Sequence, residues 1–275
     1  MEEWEIAALI ALGFVVGTYG TIVGIGGGFI VVPVLLFLYP DYDPERLTAV
    51  SLAVVCANSL SGSLAYARQG RIDYGTGLLF AVSSAPGIVL GLFLVDLMPE
   101  RAFALLLAVL LLALALVAVR GPPRGIRRPL AGRGVIVRSL VAPEGTYRFG
   151  YRAWQGVALS MSVGLASSLF GIGGGWIHVP AMISLLHFPV QFAVATSQFI
   201  LVFMSGGATL VNLADGTLAG DGLAKAGAMA AGTIPGAQLG ALMARRLKPR
   251  VVLGLLASAL FVLSLRLLVR GLTEV

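Results

Sequence analysis

Apolar residues fall in runs separated by short polar or charged gaps. They occupy about 5–23, 28–39, 47–67, 75–96 and 101–119, then about 153–170, 175–187, 191–213, 222–244 and 251–270. A helix that crosses hydrocarbon needs about 20 predominantly apolar residues, so the longer runs read as membrane helices. The runs at 28–39 and 175–187 are too short to span. Each follows a cluster of glycines, and each reads as a half-helix or as the second arm of a broken, re-entrant hairpin. The fold expected is all-α, a polytopic helical membrane protein.

The pattern occurs twice. Gly24-Ile25-Gly26-Gly27-Gly28-Phe29-Ile30-Val31-Val32-Pro33 returns as Gly171-Ile172-Gly173-Gly174-Gly175-Trp176-Ile177-His178-Val179-Pro180. Ala49-Val50-Ser51 returns as Ala195-Thr196-Ser197, Gly70 as Gly216, Pro86-Gly87 as Pro235-Gly236, Gly91 as Gly240 and Pro99 as Pro249. Matches in the same order at a nearly constant offset indicate duplication. Two transmembrane repeats, residues 1–119 and 153–275, therefore flank a connecting segment at 120–152.

Composition agrees with membrane residence. Of the 275 residues 58% are hydrophobic and 12% charged, where a soluble domain carries about 25% charged residues. The net charge of +6 does not point to nucleic acid, because eight of the nineteen basic residues lie in one stretch: Arg120, Arg124, Arg127, Arg128, Arg133, Arg138, Arg148 and Arg152. Only Glu144 opposes them there. Such a cluster marks a cytoplasmic loop, with anionic lipid headgroups as a further partner. Cys56 is the single cysteine, so no intrachain disulfide can form, and within an apolar run it reads as a small packing residue. The acidic start Met1-Glu2-Glu3-Trp4-Glu5 lacks the positive region of a signal peptide, and the first run is expected to be kept as a span.

Orientation follows from charge. With the arginine-rich segment in the cytoplasm, the stretch around 97–100 lies outside, Arg68, Arg71 and Asp73 lie inside, and Asp41, Asp43, Glu45 and Arg46 lie outside with the N-terminus. In the second repeat Asp215 and Asp221 fall outside, while Arg245, Arg246, Lys248 and Arg250 fall inside. Five segments per repeat is an odd number, so the repeats are expected to be inverted. Inverted repeats with interrupted helices near the midplane are the mark of secondary transporters.

The glycine clusters carry the candidate chemistry. Close helix packing explains an isolated Gly-x-x-x-Gly. It explains less well four glycines in five residues, followed in both repeats by a short apolar helix and a proline. Glycine is entropically costly and collects where the backbone must leave helical geometry. At membrane depth, irregular backbone is tolerated only when buried in protein or lining a cavity. A helix N-terminus exposed there offers free N–H groups and a positive dipole end to an anion. Gly24, Gly26, Gly27 and Gly28, with Gly171, Gly173, Gly174 and Gly175, are the expected substrate-binding backbone. No Gly-Lys-Ser/Thr follows either cluster, and the strand–helix context of a dinucleotide fold is missing, so no nucleotide cofactor is implied.

The doubled Gly-x-Gly-Gly-Gly-x-x-x-x-Pro with the downstream Ala-Val/Thr-Ser resembles the TauE/SafE sulfite-exporter family of membrane permeases, over nearly the whole chain. The resemblance implies transport of small anions, sulfite, sulfonates or related organic anions among them, across the cell membrane.

Polar residues inside the spans complete the candidate site. Ser51 and Ser197 stand at paired positions, with Asn58 and Gln198 close in sequence and Ser59, Ser205, Thr209 and Asn212 farther along. Their hydroxyl and amide groups suit an anion's shell, although each also serves as ordinary interhelical glue, worth about 0.6 kcal/mol per contact. His178 breaks the symmetry, since Val31 stands opposite; it is a candidate for proton coupling or a hydrogen-bonded structural residue. His187 falls at an expected cytoplasmic end. No Asp or Glu lies in the middle of any span, where proton- and cation-coupled carriers commonly use one. A potential of about 100 mV, negative inside, drives each negative charge outward with about 2.3 kcal/mol, so export needs no coupling residue. Outward movement is therefore favoured. An anion channel of the same architecture is the alternative. An intramembrane hydrolase, imagined from Ser167 or Ser168 with His178, lacks any supporting pattern, and the absence of His-Glu-x-x-His argues against a metal enzyme.

Overall fold

The computed structural model describes residues 3–40, 42–95, 97–120, 134–142 and 145–273. Half of the arginine cluster (Arg124, Arg127, Arg128 and Arg133) lies outside the described residues, as do Asp41, Asp96 and Glu144. The first repeat forms α1 (Glu3–Val23), α2 (Gly28–Leu38), α3 (Pro44–Arg68), α4 (Tyr74–Val95) and α5 (Glu100–Arg120). The second forms α6 (Ala153–Phe170), α7 (Gly175–Ser184), α8 (Val190–Ala214), α9 (Asp221–Ala244) and α10 (Pro249–Thr273). Among the described residues α1, α3, α4 and α8 are long and apolar enough to cross a membrane. The chain is thus an all-α, multi-pass membrane protein.

Helix packing repeats between the halves. α1 packs on α9 as α6 packs on α4; α2 lies on α3 as α7 lies on α8; α3 meets α8 and α5 meets α10. Exchanging the two halves maps every one of these pairs onto another or onto itself. Small residues bring the backbones together. A β-carbon on Gly236 would stand 2.3 Å from the Phe14 carbonyl oxygen, and one on Gly87 2.0 Å from that of Met161. Gly91 and Gly240 meet Leu165 and Thr18 in the same way. The paired glycines of α4 and α9 are therefore packing residues, in keeping with the small-residue seams of membrane helices.

Contacts at the helix ends settle the course of the short arms. Tyr39, just past α2, donates a hydrogen bond of 2.6 Å to Glu5 in the first turns of α1. The α1–α2 hairpin therefore begins and ends on one face of the helix bundle. That face also carries the start of α3 and the end of α8, joined where Thr217 donates to Glu45 at 2.9 Å. The α6–α7 hairpin begins and ends at the other face: Phe188, beyond α7, packs on Phe149 and Tyr151, immediately before α6. α3 and α8 connect the two faces and run in opposite senses.

Part of the connecting segment is folded, which the sequence reading as a loop did not anticipate. β1 (Val135–Ala142) and β2 (Gly145–Arg152) pair antiparallel, Val135 with Arg152 through Ala142 with Gly145. The period of two places Tyr147, Phe149 and Tyr151 on one side of β2. Tyr147 packs on Phe192, Phe149 on Phe188 at 4.2 Å between centroids, and Tyr151 on Phe80. The hairpin is thereby docked across the ends of α4 and α8. Arg138 of β1 reaches Asp73, its Nε 3.4 Å from Oδ2.

Candidate functional site

Both helix breaks fall where the glycines cluster, between Val23 and Gly28 and between Phe170 and Gly175. Gly26 and Gly173 have φ of +84° and +79°, a region that side-chain-bearing residues rarely adopt, and the chain reverses there. The carbonyl of Gly20 accepts the N–H groups of Gly24 and Ile25 at 2.9 and 2.8 Å. On the far side of each break a single glycine carbonyl starts the next helix. Gly27 O accepts from Ile30 and Val31, and Gly174 O from Ile177 and His178. A helix's first N–H groups have no carbonyl of their own helix to meet. Gly28 and Phe29 in α2, and Gly175 and Trp176 in α7, therefore present theirs at the breaks.

The two breaks are interlocked at the centre of the fold. A β-carbon on Gly28 would stand 2.3 Å from Ile172 O, and one on Gly175 2.4 Å from Gly24 O. Gly26 and Gly173 both rest on Val55 of α3 and Leu201 of α8. Ile25 and Ile172, the residues between the glycines, are completely buried. Packing alone therefore requires glycine at 28 and 175. The N-termini of two half-helices, each with a positive dipole end, thus lie in the interior, each beside a carbonyl oxygen of the other break, and no carboxylate lies in the middle of a span to offset them.

The side chains picked out on α3 and α8 flank this junction. Ser51, Val55 and Asn58 share one helical face, and Val55 is the residue on which both breaks rest. Ser197 donates to Gly24 O at 2.9 Å and Gln198 Nε2 to Gly20 O at 3.3 Å, tying α8 to the first break. Asn58 Oδ1 accepts from Thr21 at 3.1 Å. Ser51 Oγ, Asn58 Nδ2 and Gln198 Oε1 are buried without a hydrogen-bond partner, a condition that costs about 1–3 kcal/mol per group.

His178 stands apart from this group. It is buried, lies 3.2 Å from Ser160 Oγ through Nε2 and stacks on Phe80, so it faces α6 and α4. Its hydrogen-bond partner is neither Ser167 nor Ser168, and the dyad imagined for a hydrolase is not formed. His187 has φ of +61° in the turn after α7, next to the docked hairpin.

One cluster was passed over in the sequence. Lys225 of α9 is buried, donates to Asp221 Oδ2 at 2.6 Å and to the Tyr42 hydroxyl at 2.8 Å, and lies over the Tyr39 ring at 3.5 Å. Burial and the neighbouring Glu5 carboxylate raise the pKa of the Tyr39 hydroxyl, keeping it a donor. The available signal was Lys225 itself, the one charged residue inside the run at about 222–244.

Comparison with known proteins adds the family. The model of the family described as sulfite exporter TauE/SafE matches residues 9–267. The probable membrane transporter protein YunE of Bacillus subtilis is 31% identical over 96% of this chain and 97% of its own length. A probable membrane transporter protein of Xylella fastidiosa is 26% identical over 90% of this chain and 87% of its own. Sulfite exporter TauE/SafE family protein 3 of Arabidopsis thaliana is 31% identical over 40% of this chain and 24% of its own. No solved structure matches the chain.

Proposed function

The chain belongs to the sulfite exporter TauE/SafE family, and we propose that it is a secondary permease for small, sulfur-containing anions, built from two inverted repeats. The observation that carries this reading is the junction of the two breaks. Two half-helix N-termini meet there in a low-dielectric interior, where their repulsion is felt more strongly than in water. An anion seated between them satisfies the N–H groups of Gly28, Phe29, Gly175 and Trp176 and removes that repulsion. Ser51 and Asn58 each hold an unpaired donor on the face of α3 that meets the junction, and they complete its shell.

The opposite senses of α3 and α8 support the inverted arrangement, and with it alternating access by rocking one repeat against the other. The docked hairpin, carrying Arg138, Arg148 and Arg152, marks the cytoplasmic face. The face with Glu5, Glu45 and Asp221 is then external. No Asp or Glu lies in the middle of a span to couple a cation, and the membrane potential drives the anion outward. Breaks this closely packed favour a carrier over a continuously open channel, which needs a through-going path.

A substrate screen tests the reading. Purified protein is heated with sulfite, thiosulfate, sulfonates or carboxylates, and saturable stabilisation by at least one sulfur oxyanion is expected. Failure of every anion to stabilise it, together with no flux in proteoliposomes, contradicts the permease assignment.

A further inference from the structure

Lys225 has no part in the junction of the breaks, yet its surroundings are built for an anion. It lies in the first turns of α9, with only 6% of its side chain exposed, while its partner Asp221 is 45% exposed. The Tyr42 hydroxyl accepts from Lys225 Nζ and donates to the Asp221 carboxylate. The Tyr39 and Tyr42 rings cover the ammonium at 3.5 and 4.6 Å, and the Arg46 guanidinium lies 4.4 Å over the Tyr42 ring. One ammonium and a phenol thus hold the carboxylate, with a guanidinium stacked on the phenol's ring.

The exposures decide which member of the pair can move. An ammonium removed from water is costly without a partner, so Lys225 is held in place by rings that cannot solvate it fully. Asp221, half in water, leaves the pair at little desolvation cost. Its departure frees a proton on Lys225 and the Tyr42 O–H together, both aimed at the place its carboxylate held. A small oxyanion has the charge and the acceptor oxygens to take that place.

The opposite face carries a related cluster with the reverse balance. Asp73, just before α4, accepts from the Thr76 hydroxyl at 2.6 Å and from the Thr76 N–H at 3.1 Å, and Arg138 lies beside it. Here the acid is buried, 5% exposed, and the arginine is 33% exposed. The fixed member of this pair is the carboxylate, which caps a helix, and the exposed member is the cation. The two ends are not equivalent.

We propose that Lys225, with Tyr42 and Arg46, is an anion station at the Glu5–Asp221 face, and that Asp221 is its built-in competitor, displaced by each arriving or departing anion. This rests on the permease reading and places a second stop on the route, distinct from the central junction. The station takes small oxyanions, whose several acceptor oxygens meet Lys225 and Tyr42 at once.

The test is radiolabelled sulfite flux in oriented vesicles, with protein amount normalised. Asp221→Asn removes the competing charge, and the KM for sulfite added at the Glu5–Asp221 face should fall about tenfold, while the KM at the hairpin face stays unchanged. Lys225→Gln should raise the first KM at least tenfold and abolish the effect of Asp221→Asn in the double variant. Tyr42→Phe, which keeps the ring over Lys225, should raise it several-fold and serves if Lys225→Gln does not fold. Wild-type flux with an Asp221→Asn KM unchanged at the Glu5–Asp221 face overturns the station and leaves the permease reading standing. So does an Asp221→Asn effect that survives without Lys225. Absence of wild-type flux for sulfite, thiosulfate, sulfonates and carboxylates overturns both.

Discussion

A β-carbon on Gly28 would stand 2.3 Å from the carbonyl oxygen of Ile172, in the other half of the molecule. Its counterpart, Gly175, makes the same approach to Gly24 and Ile25. Each break thus serves as the floor on which the other rests, so the two repeats are coupled through backbone that no side chain can enter. Glycine is required here first by contact, and any ligand chemistry is built on top of that requirement.

Gly28→Ala and Gly175→Ala should accordingly fail on stability. Overpacking of a close-fitting core costs about 1–3 kcal/mol, and a clash with backbone lies at or beyond the upper end of that range. Gly207→Ala, in α8 with open space around it, should instead be neutral or gain up to about 1 kcal/mol. Thermal unfolding of the three variants in detergent checks the contrast. Equal melting temperatures for all three would show that the breaks are loosely packed.

Ser51 and Ser197 occupy equivalent places in the repeats but should respond differently. Ser197 donates to Gly24 O, whereas Ser51 Oγ has no partner. Ser197→Ala should lower stability by about 1 kcal/mol. Ser51→Ala removes a buried group without a partner, so it should leave the melting temperature of the ligand-free protein unchanged or raise it, and weaken sulfite binding two- to tenfold, the loss of one hydrogen bond worth about 0.5–1.5 kcal/mol. Melting curves with and without sulfite measure both. A destabilised Ser51→Ala with unaltered affinity would remove Ser51 from the site.

The helices were legible in the sequence because hydrocarbon imposes a length and a polarity that few other environments do. α1 ends at Val23 and α2 begins at Gly28, where the glycine cluster said they would. The sequence left two readings for the short run after the first break, a half-helix or the second arm of a re-entrant hairpin, and the Tyr39–Glu5 bond returns its end to the face where α1 begins. The β-hairpin was hidden by its own composition. Its arginines announced a loop, although Tyr147, Phe149 and Tyr151 alternate as a strand facing a surface should. The Lys225–Tyr42 bond joins residues 183 apart in sequence, and nothing local to either foretells it. His178 was noticed for breaking the symmetry, yet its ring points to Ser160 and Phe80.

Orientation is checked by accessibility. In a Cys56→Ala background, Ala219→Cys lies in the exposed turn between α8 and α9, and Ser139→Cys on the exposed side of the hairpin. In intact cells an impermeant thiol reagent should label the first and spare the second until the membrane is opened. The reverse pattern would invert the assignment of the two faces and the direction of the electrical driving force.

The position of the anion itself tests the central claim most directly. Selenite carries the charge and shape of sulfite and an anomalous scatterer, so diffraction from protein soaked with it locates the ligand. The expected peak lies between the N-termini of α2 and α7, with a selenite oxygen within about 3.2 Å of the backbone nitrogen of Gly28, Phe29, Gly175 or Trp176. A second peak beside Lys225 is compatible with the station there. A protein that transports sulfite yet shows selenite only elsewhere, with none at the junction of the two breaks, would contradict it.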